Sequence, residues 1–173
     1  TKYENWDGSI MEYRIYRSVN GVYDSSPVAT VPSSQSFYQD NIGGLVTNKI
    51  SGEFCYYIEA VENSNNYGIA ETSFSNRTCV NHAPIVYVPN GLFIGGINNT
   101  WKPVVSLLDF SSYDVKVFGR QGHMVFSSTD ANQEWDGNYK GKYVPIDVYV
   151  YQLTFIDAEG QFYEFSGHIT VVR

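Results

Sequence analysis

Asp147-Val148-Tyr149-Val150-Tyr151-Gln152-Leu153-Thr154-Phe155-Ile156 and, after a short loop, Phe162-Tyr163-Glu164-Phe165-Ser166-Gly167-His168-Ile169-Thr170-Val171-Val172 decide the fold class. In the first run Tyr149, Tyr151, Leu153 and Phe155 fall on alternate positions. In the second, Tyr163, Phe165, Gly167, Ile169 and Val171 do the same, with Glu164, Ser166, His168 and Thr170 between them. A repeat of two is that of a strand with one face buried. A loop at Asp157-Ala158-Glu159-Gly160-Gln161 pairs Phe155 with Tyr163, Leu153 with Phe165 and Tyr149 with Ile169. It sets Tyr151 over Gly167, where the missing side chain leaves room for the ring.

The rest of the chain follows the same grammar. It has 19 Val against 6 Ala and 5 Leu, with 16% aromatic residues, which suits pleated, half-buried surfaces rather than helices. No helix of three turns with an apolar face appears, and no repeat or low-complexity tract. The net charge of -7 repels phosphate backbones and anionic head groups, so nucleic acid is not an expected partner. No run of apolar residues is long enough to span a bilayer, and direct membrane insertion is not expected. The start at Thr1 carries no secretory leader and reads as the end of something longer.

Length and strand count divide the sequence into residues 1–82 and 83–173, joined by the polar, proline-bearing Asn81-His82-Ala83-Pro84. The expected fold class is all-β, two tandem antiparallel immunoglobulin-like sandwiches. In the first half, Met11 to Ser18 alternates as a strand before an Asn20-Gly21 turn. Val28 to Val31, Ser36 to Tyr38, Glu53 to Val61 and Thr72 to Val80 complete about five strands. A fibronectin type III-like sandwich has about seven, so the missing ones are expected to precede Thr1. Cys55 and Cys79 stand at mirrored distances from residue 67 of a hairpin through Asn63 to Gly68, which predicts a cross-strand disulfide, and with it an oxidising compartment, over the alternative of two buried free thiols. In the second half, Ile85 to Val88 opens the sandwich and Pro89-Asn90-Gly91 ends that strand. Tyr113 to Phe118 and His123 to Ser127 form a hairpin around Gly119-Arg120-Gln121-Gly122, whose glycines suit positive backbone angles.

Several of these marks recur in a known order: Pro89-Asn90-Gly91, then Thr100-Trp101, Phe118, Arg120 and Gly122, then Trp135-Asp136-Gly137, Gly141, Pro145, Tyr149, Tyr151 and Gly167, ending at Arg173. The second half thereby resembles the gliding-motility-associated C-terminal domain, the type B sorting domain of the bacterial type IX secretion system. The resemblance implies a C-terminal signal for secretion and surface attachment, read as a folded domain. Its implied partners are outer-membrane β-barrel and translocon proteins and the upstream cargo domains of the same polypeptide. Its implied route runs through the periplasm to the surface or surroundings of a Gram-negative bacterium. Departures are Gly119 and Gln121 in the hairpin, Asp147 in place of the family's glycine, and Leu92-Phe93-Ile94-Gly95-Gly96 where the family has acidic residues. That last loop offers no carboxylates to a hard cation, so no metal and no cofactor is expected.

Residues suited to catalysis are sparse. His82, His123 and His168 fall in the linker, at a strand start and on a predicted exposed face, with no metal-ligand spacing. Asp130, Glu134 and Asp136 read as turn and capping groups rather than an acid and base pair. No catalytic residue is assigned. Arg120 reads either as a solvated turn residue or as a contact for a partner carboxylate. The Asn76-Arg77-Thr78 and Asn98-Asn99-Thr100 acceptor patterns are incidental in a bacterial protein. The alternative function is adhesion, with tyrosines and Trp101 forming a platform for sugar rings or proteins.

Overall fold

The computed structural model describes residues 9–46, 50–64, 68 and 70–173. The protein is all-β, and the one helical element among these residues is a 3-10 turn at Gly43–Leu45. The chain divides into two compact units, residues 1–44 with 53–81 and residues 45–52 with 82–173.

The first unit is built on one six-stranded antiparallel sheet. Its strands are β1 (Ile10–Val19), β2 (Val22–Tyr23), β3 (Ala29–Pro32), β4 (Glu53–Glu62), β5 (Thr72–Phe74) and β6 (Thr78–Asn81). The Asn20-Gly21 turn holds as expected, both residues taking positive φ (51° and 77°) so that Val19 faces Val22. On one face of the sheet β1, β3 and β4 set Tyr13, Ile15, Val31, Tyr56, Ile58 and Ala60 side by side, following the register Tyr13↔Val31, Tyr13↔Ala60 and Ile15↔Ile58. Asp40 is pinned over this face: Arg17 Nη1 donates to both its carboxylate oxygens at 3.0 and 2.8 Å, and the Tyr56 hydroxyl donates at 2.9 Å. A cavity of about 760 Å³ remains there, walled by Tyr13, Ile15, Val31, Phe37 and Ile58.

Two strand expectations need correction. Ser36 to Tyr38 is not a strand; among the described residues no backbone ladder includes it, and Phe37 is 76% exposed. Thr72 to Val80 is interrupted at 75–77, where Ser75 Oγ accepts the Ile58 amide at 2.9 Å, so β5 and β6 pair separately with β4. Cys55 and Cys79 lie opposite each other in that register and are disulfide-bonded. The hairpin centre at residue 67 lies outside the described residues.

The second unit contains β7 (Ile85–Tyr87), β8 (Gly91–Phe93), β9 (Val104–Ser106), β10 (Asp109–Phe118), β11 (Met124–Ser128), β12 (Asn138–Tyr139), β13 (Lys142–Tyr143), β14 (Val148–Ile156) and β15 (Phe162–Val172). The main sheet runs β11-β10-β14-β15-β8, while β7 with β9 and β12 with β13 form two-stranded ladders. Every pairing read from the last two runs is present: Phe155↔Tyr163, Leu153↔Phe165, Tyr151↔Gly167 and Tyr149↔Ile169. Tyr113, Val115, Val117, Leu153, Phe155, Ile169 and Val171 of the sheet share one core with Val105 of β9 and with Val86 of β7 packed against it. The result is two β layers around one core.

One pairing departs from a purely antiparallel scheme. Pro89-Asn90-Gly91 does end the first run, but Gly91 also opens β8, which lies parallel to β15 with Leu92 opposite Val171. Leu92 is fully buried, so a three-residue strand is held by its central side chain as well as its ladder.

Candidate functional site

The motif residues converge on two tryptophans. Trp101 and Trp135 face each other in an isolated antiparallel bridge, each amide donating to the other's carbonyl at 2.8 Å, and each is 1% exposed. Trp101 Nε1 donates to the Pro89 carbonyl at 2.7 Å, which ties the Pro89-Asn90-Gly91 turn to the bridge. Buried indoles need such partners, because an unsatisfied N–H inside a core is costly. The Trp135 ring meets Tyr149 edge-on with centroids 5.5 Å apart, and the Tyr149 hydroxyl donates to the Pro145 carbonyl at 3.0 Å. Trp101 also contacts Tyr151 (5.8 Å), whose ring lies over Gly167. Burial, then the charge of Asp147, raises the Tyr149 phenol above the ordinary value; burial raises Tyr151.

The two-residue link from Trp135 into β12 is shaped by Asp136 and Gly137. Asp136 Oδ1 accepts the Asn138 amide at 2.8 Å, as expected of an aspartate opening a turn. Gly137 takes φ 79°, and a Cβ there would fall 2.7 Å from Ile94 Cδ1, so both backbone angle and packing require glycine. Its carbonyl accepts the Val144 amide at 2.8 Å. Lys140 and Gly141 form the tight turn between β12 and β13 with φ of 52° and 78°. Arg173 closes the group: its Nη2 donates to the Val144 carbonyl at 3.0 Å and its guanidinium lies 5.6 Å from the Tyr143 ring centre.

Phe118, Arg120 and Gly122 belong to the β10–β11 hairpin. Gly122 has the anticipated positive φ of 80°, but Gly119 does not. A Cβ at Gly119 would displace the exposed His123 ring, which lies 2.6 Å away. Arg120 is exposed at the tip. The motif residues thus fall into a buried group (Trp135, Gly137, Tyr149) and an exposed one (Asn90, Gly91, Arg120, Gly122, Asp136, Gly141, Pro145, Arg173), with Pro89, Phe118, Tyr151 and Gly167 half-buried between them.

Trp101 is no platform for a sugar, because it is enclosed in the core. Its pairing with Trp135 has no sequence signal beyond the presence of two tryptophans. The carboxylates do not converge on chemistry. Asp130 Oδ1 accepts the Asn132 amide, Asp136 caps its own turn, and Glu134 meets Lys102 at 3.0 Å. The Thr100 hydroxyl, then Lys102, holds the Glu134 carboxyl below its usual range. Among the described residues one group of three metal-ligating side chains is close enough to share an ion, Glu53, Cys55 and Cys79, but its two sulphurs are bonded to each other.

Residues 86–171 match the CHU_C type IX secretion signal domain family. The C-terminal half belongs to that family. No curated protein matches the chain. The type IX signal domain is a non-catalytic sorting signal, which implies interaction with secretion machinery and export to the cell surface or extracellular space.

Proposed function

We propose that residues 83–173 are read as a folded domain by outer-membrane β-barrel and translocon proteins of a type IX secretion system. The domain then carries the upstream part of its polypeptide from the periplasm of a Gram-negative bacterium to the surface. The observation that carries this reading is that the family match spans a self-contained core. A folded signal needs a surface fixed from within, and the Trp101–Trp135 bridge, Tyr149 and Gly137 hold the exposed turns in place. Arg120, Asp136, Gly141 and Arg173 are the groups we assign to the partner-facing surface. The chain has no catalytic role in this reading.

The first unit is proposed to be a fibronectin type III-like module between cargo and signal. Its apolar face, where Ile58 stays exposed beside the buried Ile15 and Val31, is what a second β layer of the same polypeptide would extend over.

The test is a fluorescent protein fused to residues 83–173, and in parallel to residues 1–173, behind an ordinary export leader in a cell that has the system. Both fusions are expected outside the outer membrane, and removal of Gly167 to Arg173 is expected to leave them in the periplasm. Periplasmic retention of both intact fusions, with the matching partner proteins supplied, overturns the reading. So does export of the truncated forms at the same level.

A further inference from the structure

The second face of the first unit's sheet carries a cluster that the export reading does not use. Tyr16 and Tyr57 stand opposite each other on β1 and β4 and stack at 4.8 Å, 9° from parallel. Tyr23 meets Tyr57 edge-on at 4.9 Å, and Phe74 does so from the other side at 5.9 Å. A shallow, open cleft of about 360 Å³ lies between Tyr23, Tyr57, Phe74, Ser75 and Arg77.

Three features separate this cleft from an ordinary apolar patch. Phe74 is 60% exposed at its rim, although a free phenyl ring gains nothing from solvent. Arg77 lies across the Tyr23 ring at 5.7 Å with its side chain 52% exposed, and its ion pair with the half-exposed Glu53 is a long one at 3.9 Å. The Tyr23 hydroxyl is enclosed and has no hydrogen-bond partner among the described residues, an unmatched polar group on a residue whose side chain lines the cleft. The floor is fixed: Ser75 Oγ accepts the Ile58 amide and donates to the Asn76 carbonyl, and Arg77 Nη2 lies 3.1 Å from Sγ of the Cys55–Cys79 bridge.

We infer that this cleft binds an acidic saccharide, with the C–H face of a sugar ring against Phe74 and Tyr57 and a uronate carboxylate on the Arg77 guanidinium. Aromatic rings take the apolar face of a pyranose, and a guanidinium matches a carboxylate in charge and in fork geometry. The assignment does not depend on the export reading, since all five residues lie in the first unit.

The test uses residues 1–173 with the disulfide intact and trigalacturonate as probe, followed through the aromatic ring signals in NMR spectra. The Tyr57 and Phe74 signals are expected to shift with millimolar trimer. The Arg77→Gln and Phe74→Ser variants should each weaken binding by roughly tenfold, as the loss of a charge-assisted hydrogen bond or a ring contact predicts. The neutral galactose trimer of the same linkage should be weaker to a similar degree, and added salt should weaken the acidic probe selectively. Arg77→Gln is a half-exposed change, so it stays informative if Phe74→Ser fails to fold. No shift at these rings overturns the inference. Equal binding by Arg77→Gln, or by the neutral trimer, overturns it as well.

Discussion

Gly167 illustrates how a single position can be fixed by a neighbour's ring rather than by its own backbone. It lacks the positive φ that would demand glycine, yet a Cβ placed on it would fall 2.7 Å from the Tyr151 hydroxyl and 2.8 Å from its ring. Gly167→Ala is therefore expected to cost about 1 to 3 kcal/mol, as overpacking does. In a Tyr151→Ala background the same change should cost less than about 0.5 kcal/mol. Urea denaturation of the four proteins measures this coupling, and equal costs in both backgrounds would show that the ring is not the reason. Tyr56 makes a different residue-scale prediction. Burial, then the hydrogen bond it donates to Asp40, pushes its phenol up to about 12. The folded protein therefore keeps this proton after the unfolded chain has lost it. The stability the group contributes is whole below the ordinary tyrosine value of about 10 and drains away as pH rises to about 12. Between those values Tyr56→Phe should lose stability less steeply than the unaltered protein, as read from denaturant midpoints at successive pH values.

The disulfide acts on whole strands. The Cys55–Cys79 bridge links residues 24 apart on β4 and β6. Closing a loop of that size restricts the unfolded chain by about 3 kcal/mol, so Cys55→Ser/Cys79→Ser should lower the first unit's unfolding free energy by that amount. A denaturation curve under reducing conditions should match that of the double variant. This bridge was legible in the sequence because mirrored spacing about a turn constrains register. The β14–β15 hairpin was legible for a related reason, since alternation over two long runs joined by a short loop leaves one register that buries both apolar sets. The parallel β8–β15 pairing was not. Its strand has three residues, too few for a period, and its partner lies far along the chain. Ser36 to Tyr38 failed in the opposite sense. Its aromatic content suits a strand, but Asp40 is anchored by Arg17 and Tyr56, and the segment before it runs unpaired. At the site, the turn of Asp136-Gly137 could be read because glycine and aspartate act locally. The bridge between Trp101 and Trp135 is a tertiary pairing that no local pattern encodes.

For the molecule as a whole, each unit has a set of interactions of its own. The core containing Leu92, Trp101, Trp135, Leu153 and Ile169 draws all its members from residues 92–171, whereas the bridge and the aromatic cluster around Tyr57 belong to the first unit. If the export signal is the folded second unit, stability and function should divide along the same line. Cys55→Ser/Cys79→Ser removes a constraint from the first unit and touches none of the groups that hold Arg120, Asp136 or Arg173 in place. Deleting Gly167 to Arg173 does the reverse. It takes Ile169 and Val171 from the core, removes the end of β15 to which β8 pairs, and leaves Val148 to Tyr151 of β14 open on one side. In the 1–173 fusion, the cysteine variant is therefore expected to reach the outside at nearly the level of the unaltered protein despite its lowered denaturation midpoint. The truncated form should stay in the periplasm with the first unit's disulfide still formed. Cell fractionation combined with thiol labelling of the retained protein distinguishes the two. Export lost with the bridge but kept without the last strand would move the signal to the first unit and refute the assignment of residues 83–173.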